Sequence, residues 1–219
     1  MTDNRLRRLH AALAAQSAQT RLQAALAAGT NPDRSLTRAL IERCAVEPDF
    51  YVRDMLTWAL TRQEPAPTLS ALRAELGSTN AQGRSQALHT LSKIGDRSAW
   101  PDVTHALLTD PDDDVARSAW RAAVDLVPPA EMSDLAAILA SQLGRGDAAV
   151  QRSLSRAFVA LGEEVALPVL HSAQTAPDPV TRGHATATEA LVHDPDAGFA
   201  FDVEEARRIS ALGEAALGQ

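Results

Sequence analysis

Aromatic residues are scarce in this chain of 219 residues, where Phe, Trp and Tyr together make up 4%. The interiors of β-sandwiches and barrels are normally filled by aromatic and β-branched side chains, so this scarcity excludes an all-β fold. Alanine instead makes up roughly a fifth of the residues, which is typical of helical proteins.

Cysteine and long apolar runs are also lacking. The single cysteine, Cys44, excludes an internal disulfide framework. Because Glu42 and Glu47 lie near it in the sequence, its pKa is not expected to be lowered, and we predict an unreactive, half-buried residue. No apolar run approaches the roughly 18 residues of a membrane span, and the N-terminal segment is too interrupted for a secretory signal. The sequence therefore predicts a cytoplasmic protein without a membrane segment.

Positive charge is in deficit, because 21 Lys and Arg face 28 Asp and Glu, which gives a formal net charge of −7. Lys93 is the only lysine. A protein that coats nucleic acid needs an excess of cations to displace the counterions of the phosphates. The charge balance therefore disfavours nucleic acid as a partner.

Motifs that carry chemistry are missing as well. There is no Gly-x-Ser-x-Gly nucleophile motif, and Gly144-Arg145-Gly146-Asp147 reads as a turn because no Gly-Lys-Thr follows it. The six histidines show no metal-ligand spacing, and His184 and Glu189 are five residues apart, on different faces of a helix. We predict no catalytic residue, no metal and no cofactor.

A turn-plus-helix phrase does recur along the chain. Each copy contains an arginine, and the steps between successive copies are 32, 31, 33, 35 and 30 residues. These arginines are Arg21, Arg53, Arg84, Arg117, Arg152 and Arg182. A period of this size is typical of repeats that each contain a pair of helices.

Each copy opens with a helix-start signal. A Ser, Asn or Asp stands four or five residues before the arginine, where its side chain can cap the first free N–H groups of a helix. Pro48, Pro111 and Pro177 precede the acidic residue and end the previous helix. In the last three copies we expect the arginine one place later than in the others.

The phrase Val52-Arg53, the segment from Arg84 to Ala99 with its Ile94-Gly95-Asp96, and the Asp-Pro openings resemble bacterial HEAT repeats of the phycobilisome-lyase-like subtype. The resemblance implies an all-α fold, a right-handed α-solenoid of about six helix pairs over residues 1–195. The expected repeats lie near 5–28, 34–62, 66–94, 98–127, 131–161 and 163–193, and residues 196–219 are expected to be a C-terminal capping segment.

In such solenoids the second helix of each pair lines the concave face, and capping acids and arginines form a ladder between neighbouring repeats. The resemblance therefore implies structural roles for seven residues. They are Asp49, Arg53, Arg84, Asp113, Arg117, Asp178 and Arg182.

The second helices also offer a candidate binding surface. In the second repeat, Tyr51, Met55 and Trp58 recur at helical spacing and Arg62 extends the row. Corresponding positions further along are His89, Arg121 and Arg156. Such a row would bind an acidic or aromatic partner segment, whereas the alternative is that Tyr51 and Trp58 fill the joint between repeats.

Three functions remain open. A non-enzymatic scaffold that binds a protein, a peptide or a small ligand is the first, because a repeat is present and catalytic motifs are absent. The second is a DNA-binding protein or a DNA glycosylase of the alkylation-repair type, with Trp58, Trp120 and either Asp54 or Asp125 in the roles that such HEAT-like enzymes require. The third is a stand-alone sensor related to a transcriptional regulator. The oligomeric state is left open.

Overall fold

The computed structural model describes residues 2–196 of the chain. Within this range every regular element is helical, so the prediction of an all-α fold is confirmed. The chain divides into two compact units, Met1–Glu131 and Met132–Gln219. Of the predicted capping segment, residues 197–219 lie outside the described residues.

The first unit contains four helix pairs. Its α-helices are α1 (Thr2–Leu13), α2 (Ala18–Thr30), α3 (Thr37–Cys44), α4 (Phe50–Thr61), α5 (Pro65–Glu75), α6 (Ala81–Ile94), α7 (His105–Leu108) and α8 (Asp113–Leu126). Short 3-10 helices at Arg34–Leu36 and Arg97–Asp102 precede α3 and α7, and another follows α8 at Pro129–Glu131.

These pairs stack into two layers. The second helices of the pairs form one layer, in which α2 packs on α4, α4 on α6, and α6 on α8. The first helices form the other layer, in which α1 packs on α3 and α3 on α5. Stacked helix pairs of this kind are the architecture of an α-solenoid. The right-handed twist remains a prediction.

The second unit contains two further pairs. Its helices are α9 (Met132–Ala140), α10 (Ala148–Leu161), α11 (Glu163–Ala173) and α12 (Pro179–His193). Here α9 packs on α11 and α10 on α12, so the same layered order recurs within this unit. Pro168 lies inside α11.

All six second helices begin at a polar side chain that accepts a hydrogen bond from a backbone N–H of the first turn. The caps are Ser17, Asp49, Asn80, Asp112, Asp147 and Asp178. Each such cap stabilises its helix by about 1 kcal/mol. The caps therefore fix the same starting point in every repeat, and positions can be compared between repeats by counting from them.

The core is built mainly from alanine and leucine. In α8, Ala116, Ala119, Ala122 and Ala123 are all fully buried, which lets this helix lie close against its neighbours. The few large rings that are fully buried include Trp120 and Phe158. In the part of the chain that the structure describes, no helix combines the length and the apolar character needed to cross a membrane.

Candidate functional site

The repeated arginines clamp the turn that precedes their own helix. Arg53 Nη1 donates to the carbonyl oxygens of Glu47 and Pro48, both at 2.8 Å. The same bond to the carbonyl six residues earlier recurs at Arg21, Arg84 and Arg182. These arginines all lie four residues after their cap, so their common role is to satisfy turn carbonyls.

Arg117 and Arg152 lie five residues after their caps, as expected, but Arg182 does not, so the expected shift holds in two of the last three copies. The cap of α8 is Asp112, whereas the sequence predicts Asp113 for the ladder. In this copy Arg117 pairs with Asp114 at 3.5 Å, on its own helix.

The ladder between repeats uses acids that the sequence prediction missed. Arg21 forms a two-pronged ion pair with Glu47, with N–O distances of 2.6 and 2.7 Å, and both side chains are buried. Arg84 pairs in the same way with Asp110 of the next repeat. The predicted capping acids Asp49 and Asp178 instead accept backbone N–H groups.

A sequence signal for these acids does exist. Glu47 and Asp110 each stand two residues before the next cap, in Glu47-Pro48-Asp49 and Asp110-Pro111-Asp112. Each carboxylate also accepts the backbone N–H of that cap, at 3.0 and 2.9 Å. An acid-Pro-Asp phrase therefore marks the ladder better than the capping acid does.

The predicted binding row is a set of equivalent positions. Trp58, His89, Arg121 and Arg156 all lie nine residues after the cap of their helix. Their side chains are exposed, except that His89 is half-buried. Arg156 lies on α10 in the second unit, so it belongs to a different compact unit from the other three.

The aromatic stripe of α4 divides between exposure and packing. Tyr51 is 74% exposed and meets the ring of Phe50 edge-on, with 5.7 Å between ring centroids. Trp58 is 38% exposed and covers Gly29 of α2, where an added Cβ would lie 2.2 Å from its ring. Met55 is half-buried, and Arg62 is exposed directly after the helix end. Trp58 therefore fills a joint between repeats and Tyr51 does not.

A cavity of about 390 Å³ lies on the exposed side of α4, α6 and α8. We call it the cationic cavity. It is lined by Phe50, Arg53, Asp54, Thr57, Gln86, His89, Lys93, Ser118 and Arg121. Of the residues predicted for the binding row, His89 and Arg121 both line this cavity. The lining does not include Tyr51, Met55, Trp58 or Arg62.

A second cavity of about 370 Å³ continues the first along α6 and α8. The two share four lining residues, namely Arg53, Gln86, Ser118 and Arg121. The second cavity adds Gln82, Ser85, Asp112, Asp114 and Arg117. Together the two cavities form a groove that crosses three successive second helices.

His89 is a neutral hydrogen-bond acceptor in this groove. Its Nδ1 lies 3.4 Å from Nη1 of Arg121, and a guanidinium can only donate. Burial lowers the pKa of His89 below its ordinary value, as do the charges of Arg121 and Lys93, against a smaller opposing effect of Asp54. The imidazole is therefore uncharged at neutral pH.

The cations of the cationic cavity lack carboxylate partners. Among the described residues, no carboxylate oxygen lies within ion-pair distance of Arg53, Lys93 or Arg121, although Asp54 lines the same cavity. The hydrogen bonds of Arg53 all use Nη1. By contrast, Arg21 and Arg84 are paired within the ladder. The cavity therefore holds three cations and one carboxylate in a protein whose net charge is −7.

Thr57 supplies a polar atom without a partner to the cavity wall. It is 3% exposed, and its Oγ1 has no hydrogen bond to any described residue. We expect Thr57→Val to raise the free energy of unfolding by about 1 kcal/mol, because a buried hydroxyl without a partner costs energy. Thr90 is the matched control, since it is equally buried on α6 and its Oγ1 donates to the Gln86 carbonyl at 2.8 Å. Urea denaturation in which both valine variants lose stability would contradict this prediction.

Residues with catalytic potential are engaged in structural contacts. Trp120 is fully buried and its Nε1 donates to the Leu108 carbonyl at 2.8 Å, so it cannot serve as a surface ring against a base, the role that the glycosylase alternative assigns to it. Burial raises the pKa of Cys44 to about 12, which leaves the thiol protonated, and the residue is fully rather than half buried. The described residues contain no group of three or more side chains arranged to hold a metal ion.

In the described part of the second unit, one buried serine contacts a histidine. The proton of that histidine is on the nitrogen that faces the serine, so the histidine cannot act as a base. His184 Nδ1 accepts the Gly144 N–H at 3.0 Å, so Nε2 carries the proton and faces the Gln151 carbonyl at 3.0 Å. Ser155 Oγ lies 3.1 Å from the same Nε2. In this tautomer Nε2 is already protonated and Nδ1 is occupied by the Gly144 N–H, so the imidazole cannot take the proton of the serine.

Stability should fall in mild acid because of His184. Burial lowers the pKa of His184 below the ordinary value of 6.5. As the pH falls below 6.5, His184 is therefore protonated in the unfolded state but stays neutral in the folded state. The free energy of unfolding falls until the pH reaches the pKa of His184 in the folded state. We expect the difference in unfolding free energy between pH 7.5 and about 5 to shrink in His184→Asn. The exposed His105→Asn is the control, and an equal reduction there would contradict the assignment.

One protein-family model matches part of the chain. Residues 37–125 match the family model of HEAT repeats. The match runs from α3 to α8 and supports a HEAT-repeat protein. None of the curated proteins matches the sequence.

Two crystal structures of engineered proteins are similar to the chain. One is 18% identical with a TM-score of 0.47, and the match covers 84% of this chain and 97% of the engineered one. The other is 18% identical with a TM-score of 0.46, covering 85% and 95%.

Proposed function

We propose that the chain is a non-enzymatic scaffold that binds a partner protein or peptide in the groove across α4, α6 and α8. The observation that carries the proposal is the groove itself, which spans three repeats and exposes Lys93 and Arg121, two cations without a carboxylate partner among the described residues. Both cavities lie within α4 to α8, inside the HEAT-repeat match. We place the chain with bacterial HEAT-repeat proteins of the phycobilisome-lyase-like subtype and assign it to the cytoplasm.

The test immobilises three forms of the chain, namely the wild type, Arg121→Glu and Arg97→Glu. It compares which partner proteins each form retains. Arg97 is exposed outside both cavities, so its substitution makes the same change in charge away from the groove. We expect a partner that the wild type and Arg97→Glu retain and that Arg121→Glu loses. Loss with both variants, or turnover of a substrate without any partner, would overturn the proposal.

The DNA glycosylase alternative is weakened by the burial of Trp120. Its other candidates are Trp58, which covers Gly29, Asp125, which accepts a hydrogen bond from Ser92, and Asp54, which lines the cationic cavity. The acidic net charge also opposes a DNA backbone. A gel-shift experiment at low salt should show no retardation of duplex DNA, and clear retardation would restore this alternative.

A further inference from the structure

We propose that the cationic cavity receives a carboxylate side chain of an acidic partner segment, held between Arg53, Lys93 and Arg121. This inference rests on the proposed function and specifies the chemistry of the partner. The cavity volume of about 390 Å³ accommodates a side chain with part of its backbone. The cavity lining includes Phe50, which is 65% exposed and can contact the aliphatic part of the segment.

The charge of the cavity favours an anion. Its three cations have no carboxylate partner among the described residues, so a ligand carboxylate would satisfy donors that the fold leaves open. Arg53 is already held by the turn carbonyls of Glu47 and Pro48, and its guanidinium lies 6.0 Å from the centroid of the Phe50 ring. A cation fixed in this way loses little conformational entropy when it binds a carboxylate.

His89 makes this binding depend on pH. The charged groups that face it are Arg53 and Asp54 from α4, Lys93 from its own helix, and Arg121 from α8. Burial lowers the pKa of His89, and the charges of Arg121 and Lys93 lower it further, which keeps the imidazole neutral in the free protein. A carboxylate bound among them offsets their charge, so the complex takes up a proton at His89 more readily than the free protein. Affinity should therefore rise as the pH falls from about 8 to 6.

The single lysine allows a direct test of where the segment binds. A carbodiimide couples an amine to a carboxylate only when the two are in contact, and Lys93 supplies the one side-chain amine of the chain. The probe is a fluorescein-labelled oligoglutamate peptide, and an oligoglutamine peptide of the same length is its uncharged match. We expect the oligoglutamate to couple to Lys93, which mass spectrometry of the digested product identifies.

Fluorescence anisotropy with the same peptides measures the contribution of each cation. We expect Arg121→Gln to weaken oligoglutamate binding about tenfold, which is typical of losing one charge-assisted contact, and Arg97→Gln to change it less than about twofold. Lys93→Gln replaces an exposed side chain and keeps the test open if Arg121→Gln fails to fold. His89→Gln should abolish the pH dependence of binding.

The outcomes separate the inference from the proposed function. Equal binding of oligoglutamine, equal loss with Arg97→Gln, or coupling only at the N-terminal amine would overturn the inference. Duplex DNA that displaces the oligoglutamate at the same concentration would assign the cavity to nucleic acid instead. If the oligoglutamate fails to bind while a captured partner is still lost in Arg121→Glu, the groove remains a binding surface and only the acidic chemistry is wrong.

Discussion

Replacing Glu47 by alanine should lower the free energy of unfolding by about 3–5 kcal/mol, because it leaves buried arginine charge without its partner. The Glu47 carboxylate is fully buried and accepts hydrogen bonds from Arg21, Arg43 and the backbone N–H of Asp49. These contacts join α2 to the turn before α4, so their loss should loosen the joint between two repeats. Urea denaturation followed by circular dichroism measures the change.

Glu42 provides the matched control for Glu47. It pairs with Arg38 across the same four-residue spacing as Glu47 with Arg43, but its pair is exposed, with 88% and 61% of the two side chains accessible. Exposed pairs at this helical spacing contribute about 0.3–0.5 kcal/mol. Comparable losses of stability in Glu42→Ala and Glu47→Ala would contradict a special role for the buried pair.

The same carboxylate should make stability depend on pH in the acidic range. Burial acts to raise the pKa of Glu47, but the hydrogen bond from Arg21 and the other contacts outweigh it, and the pKa lies below its ordinary value of 4.5. Its contribution is therefore fully present above 4.5 and is lost as the pH falls through the folded pKa. This acid loss is distinct from that of His184, which begins below 6.5.

The repeat and its helix starts could be predicted from the sequence because both depend on local chemistry. A cap needs only a short polar side chain before a helix, and Asp49, Asn80 and Asp178 could be recognised without knowledge of the fold. The register of α8 could not be settled in this way, because Asp112, Asp113 and Asp114 are all competent caps. Packing of Val115 and Ala116 into the core selects Asp112.

The binding row was harder to predict, because exposure depends on contacts between repeats. His89 and Arg121 occupy equivalent positions on adjacent helices, and their meeting follows from the repeat alone. Trp58 occupies the same position on α4, but Gly29 of the preceding repeat leaves a hollow that its ring covers. Arg53 and Lys93 were assigned to structure or overlooked, since their part in the cavity appears only when α4 and α6 lie side by side.

Replacing Trp120 by alanine should cost about 3–5 kcal/mol of stability, the largest effect expected of any single aromatic residue in the first unit. Its ring is fully buried, and its Nε1 satisfies the Leu108 carbonyl at the end of the short helix α7. The substitution therefore leaves a large cavity and an unpaired carbonyl beside a helix of four residues, which has little stability of its own.

Trp58→Ala is the control for this prediction, because 38% of Trp58 is already exposed and its ring makes no hydrogen bond within the described residues. We expect a loss of about 1–2 kcal/mol there, set by the apolar area that covers Gly29. Tryptophan fluorescence adds a second measurement, since Trp120 should emit at shorter wavelength than Trp58. Similar losses in the two variants would mean that Trp120 is not the anchor of α7.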